Sequence, residues 1–153
     1  MTTLRKLRYL YLLLLLLISS CEPYEYKVLE GTSWQITDYT IDGTDSMATI
    51  IAFNLDDEFN LGERGGLGIN MSLTVKDSPQ NPNYGYDGVW NLAGKENNVF
   101  FIAIQSGPHV NKPSFKPFRS ANWTTTKLIK QDMQLDLTLD NRKYYLRFKP
   151  YIQ

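Results

Sequence analysis

The chain has 153 residues, in which 16 basic side chains balance 16 acidic ones and 42% of the residues are hydrophobic. That balance excludes the strongly basic character of a nucleic-acid-binding domain, so no nucleic-acid partner is expected. One cysteine excludes an intramolecular disulfide, and one histidine, His109, with no Cys, Asp or Glu near it in sequence, leaves no expected metal site.

The chain opens on Arg5, Lys6 and Arg8, followed by an apolar run from Tyr9 to Ile18 that contains six consecutive leucines, and then Ser19, Ser20 and Cys21. A basic start, a short apolar core and small residues before a cut site are the parts of a secretory signal peptide. The apolar run is about 10 residues, half of the roughly 20 that a spanning helix needs, so it does not read as a permanent anchor. Ile18-Ser19-Ser20-Cys21 resembles the lipobox of bacterial lipoproteins. The resemblance implies cleavage before Cys21 and lipidation of that residue, and a thiolate is a good nucleophile for taking up an alkyl group. Several acyl chains on one residue would make a stable membrane anchor. Residues 1–20 are therefore read as a signal peptide, 21–30 as a lipid-anchored tether and 31–153 as one domain. Losing Arg5, Lys6 and Arg8 leaves 13 basic against 16 acidic residues, a net charge of −3. The expected location is the outer membrane or another part of the cell envelope.

From Gly31 onward the period is two. Trp34 to Ile41 is rich in β-formers and ends at the turn signal Asp42-Gly43. Ala48 to Leu55 reads as a strand with Ile51, Phe53 and Leu55 on one face. Asp56-Asp57 then turns the chain toward Phe59 and Leu61, and Gly62 to Gly66 is expected to break the strand. Leu67, Ile69, Met71, Leu73 and Val75 alternate with smaller or polar residues, which puts all five on one side of a strand. Lys76 to Gly85, with Pro79 and Pro82, reads as a loop. Tyr86 to Leu92 alternates again, and Val99 to Ile104 is a continuous apolar strand after a turn at Gly94 to Asn98.

Gln105 to Ala121 is the longest expected break and holds three prolines. Trp123 to Lys130 is a Thr-rich strand, a turn at Gln131-Asp132 leads to Met133, Leu135, Leu137 and Leu139, and Asp140-Asn141-Arg142 turns into Tyr144, Leu146 and Phe148. Eight or nine short strands, tight turns and no convincing amphipathic helix predict an all-β, antiparallel up-and-down barrel. Sequential hairpins favour it over a sandwich, and closure removes exposed sheet edges. The expected inside is apolar and the outside polar, the reverse of a membrane barrel.

Leu29-Glu30-Gly31-Thr32-Ser33-Trp34-Gln35-Ile36 resembles the first strand of lipocalins, in which a glycine precedes a tryptophan that plugs the barrel floor. Ile41-Asp42-Gly43, Phe53 to Phe59, Gly88-Val89-Trp90-Asn91-Leu92 and the ending from Lys127 to Phe148 are similar to the lipocalin-like small lipoproteins of Bacteroidetes. The resemblance implies a barrel with Trp34 as its plug and a calyx for a small apolar or amphipathic ligand.

No reactive constellation stands out. Asp56, Asp57 and Glu58 lack the spacing of a calcium loop. The glycine-rich run from Gly62 to Gly68 precedes a strand, where a phosphate-cradling loop precedes a helix. No Gly-x-Ser-x-Gly motif is present. The chain is thus read as a non-enzyme without a cofactor. Its best candidate contact residues lie in the long break: Lys112, Phe115, Lys116, Phe118 and Arg119, a near-repeat of Lys-Pro with an aromatic close behind. Apolar rings beside positive charge suit an anionic, partly apolar partner; the bland alternative is a lid that packs both rings over the barrel's open end. The function read from the sequence is therefore a lipid-anchored barrel that binds a small apolar or amphipathic ligand. The alternative is a filled-core barrel serving as an interaction or accessory subunit of an envelope complex. The volume of the lumen separates them.

Overall fold

Alternating apolar residues give each strand one face to bury, and a sheet with one apolar face is stable only when that face is covered. In the computed structural model, which describes residues 28–64, 71–76, 85–94, 96 and 98–152, the sheet covers its own face by closing. The strands are β1 (Thr32–Ile41), β2 (Thr44–Asp45), β3 (Glu58–Arg64), β4 (Met71–Lys76), β5 (Tyr86–Ala93), β6 (Val99–Ser106), β7 (Ala121–Ile129), β8 (Asp132–Leu139) and β9 (Arg142–Pro150). Each of β3 to β8 pairs antiparallel with the next; β1 pairs with β3 on one edge and β9 on the other. The result is the expected all-β antiparallel barrel, eight strands around, with β2 as a two-residue addition beside the end of β1. Residues 1–27, including those read as a signal peptide and Cys21, lie outside the described residues, as do 65–70 and 77–84, where parts of the expected alternation and of the Pro-rich loop fall.

Two β-bulges set which side chains face inward. In β1 the register shifts between Ile36 and Asp38, so the buried residues run Trp34, Ile36, Tyr39 and not every second one. In β7 a shift between Thr125 and Lys127 moves the inward position from Thr125 to Leu128. A third shift, at Asp87/Gly88, brings two backbones so close that a Cβ on Gly88 would lie 2.2 Å from the Ala103 carbonyl oxygen. Only glycine fits there.

Three expectations are corrected. Ala48 to Leu55 is not a strand: Met47–Ala52 forms a short helix, α1. Ile51 is 56% exposed, whereas Ile50, Phe53 and Leu55 are buried, because one helical turn aligns residues three apart. Asn54 adopts φ 54°, its N–H bonds the Ile51 carbonyl at 3.0 Å, and the Leu55 N–H bonds the Ile50 carbonyl at 2.9 Å. This is a left-handed helix stop with Asn in the glycine role. Second, Gly62 to Gly66 does not end the strand at Gly62, since β3 runs on to Arg64. Third, Gln105 to Ala121 is not all loop. β6 continues to Ser106, a 3-10 turn spans Pro113–Phe115, the helix α2 spans Lys116–Arg119, and β7 already begins at Ala121. Pro113 and Pro117 each stand in a first helical turn, where the missing N–H costs nothing.

Candidate functional site

The register divides the barrel into two ends. At one end the start of β1 meets the end of β9 (Trp34 opposite Pro150), and the β7–β8 turn lies beside it. This is the floor. Trp34 is 1% exposed and its indole N–H donates to the Thr32 hydroxyl at 2.6 Å. Above it the rings of Phe59 and Phe148 meet edge-on at 5.4 Å. The enclosed space among Trp34, Phe59, Leu73, Phe100, Met133 and Phe148 has no volume that a water molecule could enter. The lumen at this level is filled. Outside the floor an open groove of about 370 Å³ is lined by Val28, Thr32, Ser33, Trp34, Lys130, Gln131 and Pro150.

The other end is capped by α1 and by the segment from Gly107 to Ser120. Phe115 and Phe118, two of the predicted contact residues, are both fully buried. Phe115 stacks on Tyr86 at 5.5 Å and meets Phe53 edge-on at 5.1 Å. Phe118 bridges Phe115, Tyr39 and Trp123 at centroid distances of 5.7, 5.6 and 6.1 Å. Two hydrogen bonds tie the cap to the wall. The Tyr86 hydroxyl donates to the Phe53 carbonyl at 2.6 Å, and the Trp123 indole N–H donates to the Pro117 carbonyl at 3.2 Å.

The predicted cations of this segment remain outside and do not form one cluster of free charge. Lys116 pairs with Asp140 at 2.6 Å, Lys112 lies 6.0 Å from the centre of the Phe53 ring, and Arg119 is exposed. The turn beside them is held by Asp42, which accepts from Arg142 at 3.0 Å and from the Lys143 backbone N–H at 2.8 Å. That N–H first, and the guanidinium second, keep the Asp42 carboxyl below its usual range. His109 packs on Phe53 at 5.4 Å; burial, then Lys112, lower its basicity. Among the described residues no three of His, Cys, Asp and Glu are grouped so as to hold a metal ion.

Three buried polar atoms have no hydrogen-bond partner among the described residues: the Tyr39 hydroxyl, the Thr125 hydroxyl and His109 Nδ1. Tyr39 faces Leu146, Leu146 faces Leu135 and Leu135 faces Thr125, so both hydroxyls belong to one inward row around the barrel. Burial pushes the Tyr39 hydroxyl well above its ordinary pKa and keeps it protonated.

A separate polar group lies on the wall toward the floor. Asp132, 5% exposed, accepts from Arg147 Nε at 2.8 Å, Arg147 Nη2 at 3.1 Å, Lys127 Nζ at 2.6 Å and Gln134 Nε2 at 3.0 Å. Arg147 also reaches Asp38 at 3.7 Å. The Arg147 guanidinium beside Asp132 holds its carboxyl far below the usual carboxylate range. Oδ2 accepts three of these bonds and Oδ1 one, and with Asp38 on β1 the group binds four strands together. In the amino-acid order Asp132 reads as part of a turn; alternating charges across β7, β8 and β9 were the available signal of its role.

No protein-family model matches the chain, and no curated protein matches it. Among solved structures it is similar to an uncharacterized protein from Bacteroides eggerthii DSM 20697, at 18% identity and a TM-score of 0.44, over 78% of this chain and 98% of that one.

Proposed function

We propose that this chain is an exported lipoprotein of the cell envelope, anchored through Cys21, whose barrel acts as an interaction or accessory subunit through its loops and outer wall. The observation that carries the reading is the filled lumen between Trp34 and Phe148, which leaves no room even for water. Carriers of small apolar molecules enclose a few hundred Å³ for them. A lumen filled at this level leaves the outside of the barrel as its usable surface. Native mass spectrometry of the secreted chain carrying Cys21→Ser tests it. The expected result is the mass of the bare chain; a reproducible adduct of a small apolar molecule would overturn the reading in favour of a carrier. The anchor is checked separately, by labelling with a palmitate analogue that Cys21→Ser abolishes.

One observation favours the second reading, a small amphipathic ligand held beneath the cap. Buried hydroxyls are normally paired, and those of Tyr39 and Thr125 have no partner among the described residues. A ligand with a polar head would satisfy them, but it would have to displace Phe118. A bare mass that stays bare after incubation with fatty acids of several lengths removes this reading.

A further inference from the structure

The described chain begins at Val28, and Val28 lines the groove outside the floor. Six residues, Glu22 to Lys27, separate it from Cys21. Even fully extended, that connection reaches only about 25 Å. β1 alone, with ten residues, is about 33 Å long. An anchor at Cys21 therefore keeps the floor, where Val28 lies, within about 25 Å of the bilayer, whereas the capped end is held only through the length of the barrel.

The floor also carries what such a surface would meet. Three large hydrophobic residues are conspicuously exposed among the described residues. Ile129 (48% exposed) and Ile152 (89% exposed) are at the floor; Ile51 is at the cap. Ile129 ends β7 beside the Lys130-Gln131 turn, and Ile152 follows Tyr151, whose N–H donates to the Ser33 carbonyl at 2.9 Å. The turn and the C-terminal segment thus flank the groove that Val28 enters. Among the described residues here the charges have both signs, Lys130 and Lys149 beside Glu30 and Glu96, so the exposed isoleucines are the distinctive feature of the floor.

Resting on the anchored reading above, we propose that the floor of the barrel docks on the phospholipid bilayer, with Ile129 and Ile152 entering the boundary between headgroups and acyl chains. The arrangement points the capped end, with Lys112 and Arg119, away from the membrane.

The test uses the mature lipidated protein in phosphatidylcholine vesicles. An environment-sensitive fluorophore is placed through Ile129→Cys or Ile152→Cys, and through Ile51→Cys as the reference, with spin-labelled lipid as quencher. Several-fold stronger quenching at positions 129 and 152 than at 51 is expected, with little change on adding salt or phosphatidylglycerol. Equal, solvent-like signals at all three positions would overturn the docking, and would leave the floor groove to a protein partner. The mass of the Cys21 peptide reads the anchor independently. If Cys21 carries no lipid, the same labels on the Cys21→Ser chain, with excess vesicles, still decide: quenching confined to 129 and 152 supports docking, and its absence overturns it.

Discussion

The two ends of the barrel are closed by different means. The floor is closed from within the meander by Trp34, a residue of the first strand, whose indole N–H is satisfied two residues away by Thr32. The cap is closed by residues outside the barrel strands, Phe53 after α1 and Phe115 and Phe118 in the segment after β6, seated on Tyr39, Tyr86 and Trp123. A local plug depends on one strand. An imported plug depends on contacts distant in sequence, and it brings rings inside that the amino-acid order places in a proline-rich break.

If cap and floor are equally part of the core, Phe118→Ala and Trp34→Ala should each destabilise by about 3–5 kcal/mol, read from urea denaturation of the Cys21→Ser chain. A small cost for Phe118→Ala beside a large one for Trp34→Ala would make the cap a hinged cover and break the equivalence. Leu135→Ala, in the fully buried middle of the barrel, should cost about 2–5 kcal/mol. Leu137→Ala, only half-buried near the cap, should cost less, and the outward Thr138→Ala least of all. Gly88→Ala, on the wall below the cap, should cost about 1–3 kcal/mol through the clash with Ala103, and partial unzipping of β5 from β6 would be seen as faster amide exchange there.

The polar wall near the floor gives a pH-dependent test. Asp132 has its carboxyl pKa lowered in the folded chain, so its contribution is present above the unfolded value of about 3.9 and is lost as pH falls below that toward the folded value. Asp132→Asn should therefore lower stability near neutral pH by on the order of 1 kcal/mol, since Lys127 and Arg147 are partly exposed. The gap to the parent should narrow as pH falls below about 4. A gap that stays constant down to pH ~2 would remove the charge network as the cause. The smallest effect is expected for Arg119→Ala, on the exposed face of the cap, within about 0.5 kcal/mol of the parent.

Much of the barrel was legible along the chain. Tyr86, Trp90 and Leu92 point inward from β5 as their spacing indicates, and Phe59, Leu61, Leu73 and Val75 do so from β3 and β4. Ala48 to Leu55 misled because Ile51, Phe53 and Leu55 have period two by coincidence. The competing signal was Asn54, which tolerates the left-handed backbone that ends α1. The site was less legible. The spacing of Phe115 and Phe118 picked out a real unit, and of its two readings the lid over the barrel's open end is the one the rings adopt, while Lys112, Lys116 and Arg119 stay exposed; the order of residues alone did not choose between them.

What the sequence by itself determined is most of the sheet: the main strands, their antiparallel order and an apolar inner face, because side-chain alternation and turn chemistry act between residues a few positions apart. What only the tertiary structure decided is how the closed barrel is filled. Whether the bulges at Thr37 and Thr126 swing Tyr39 and Leu128 inward, and whether the lumen is empty or filled, depend on side chains far apart in sequence competing for one volume. That competition is settled by packing density, which no window of neighbouring residues contains.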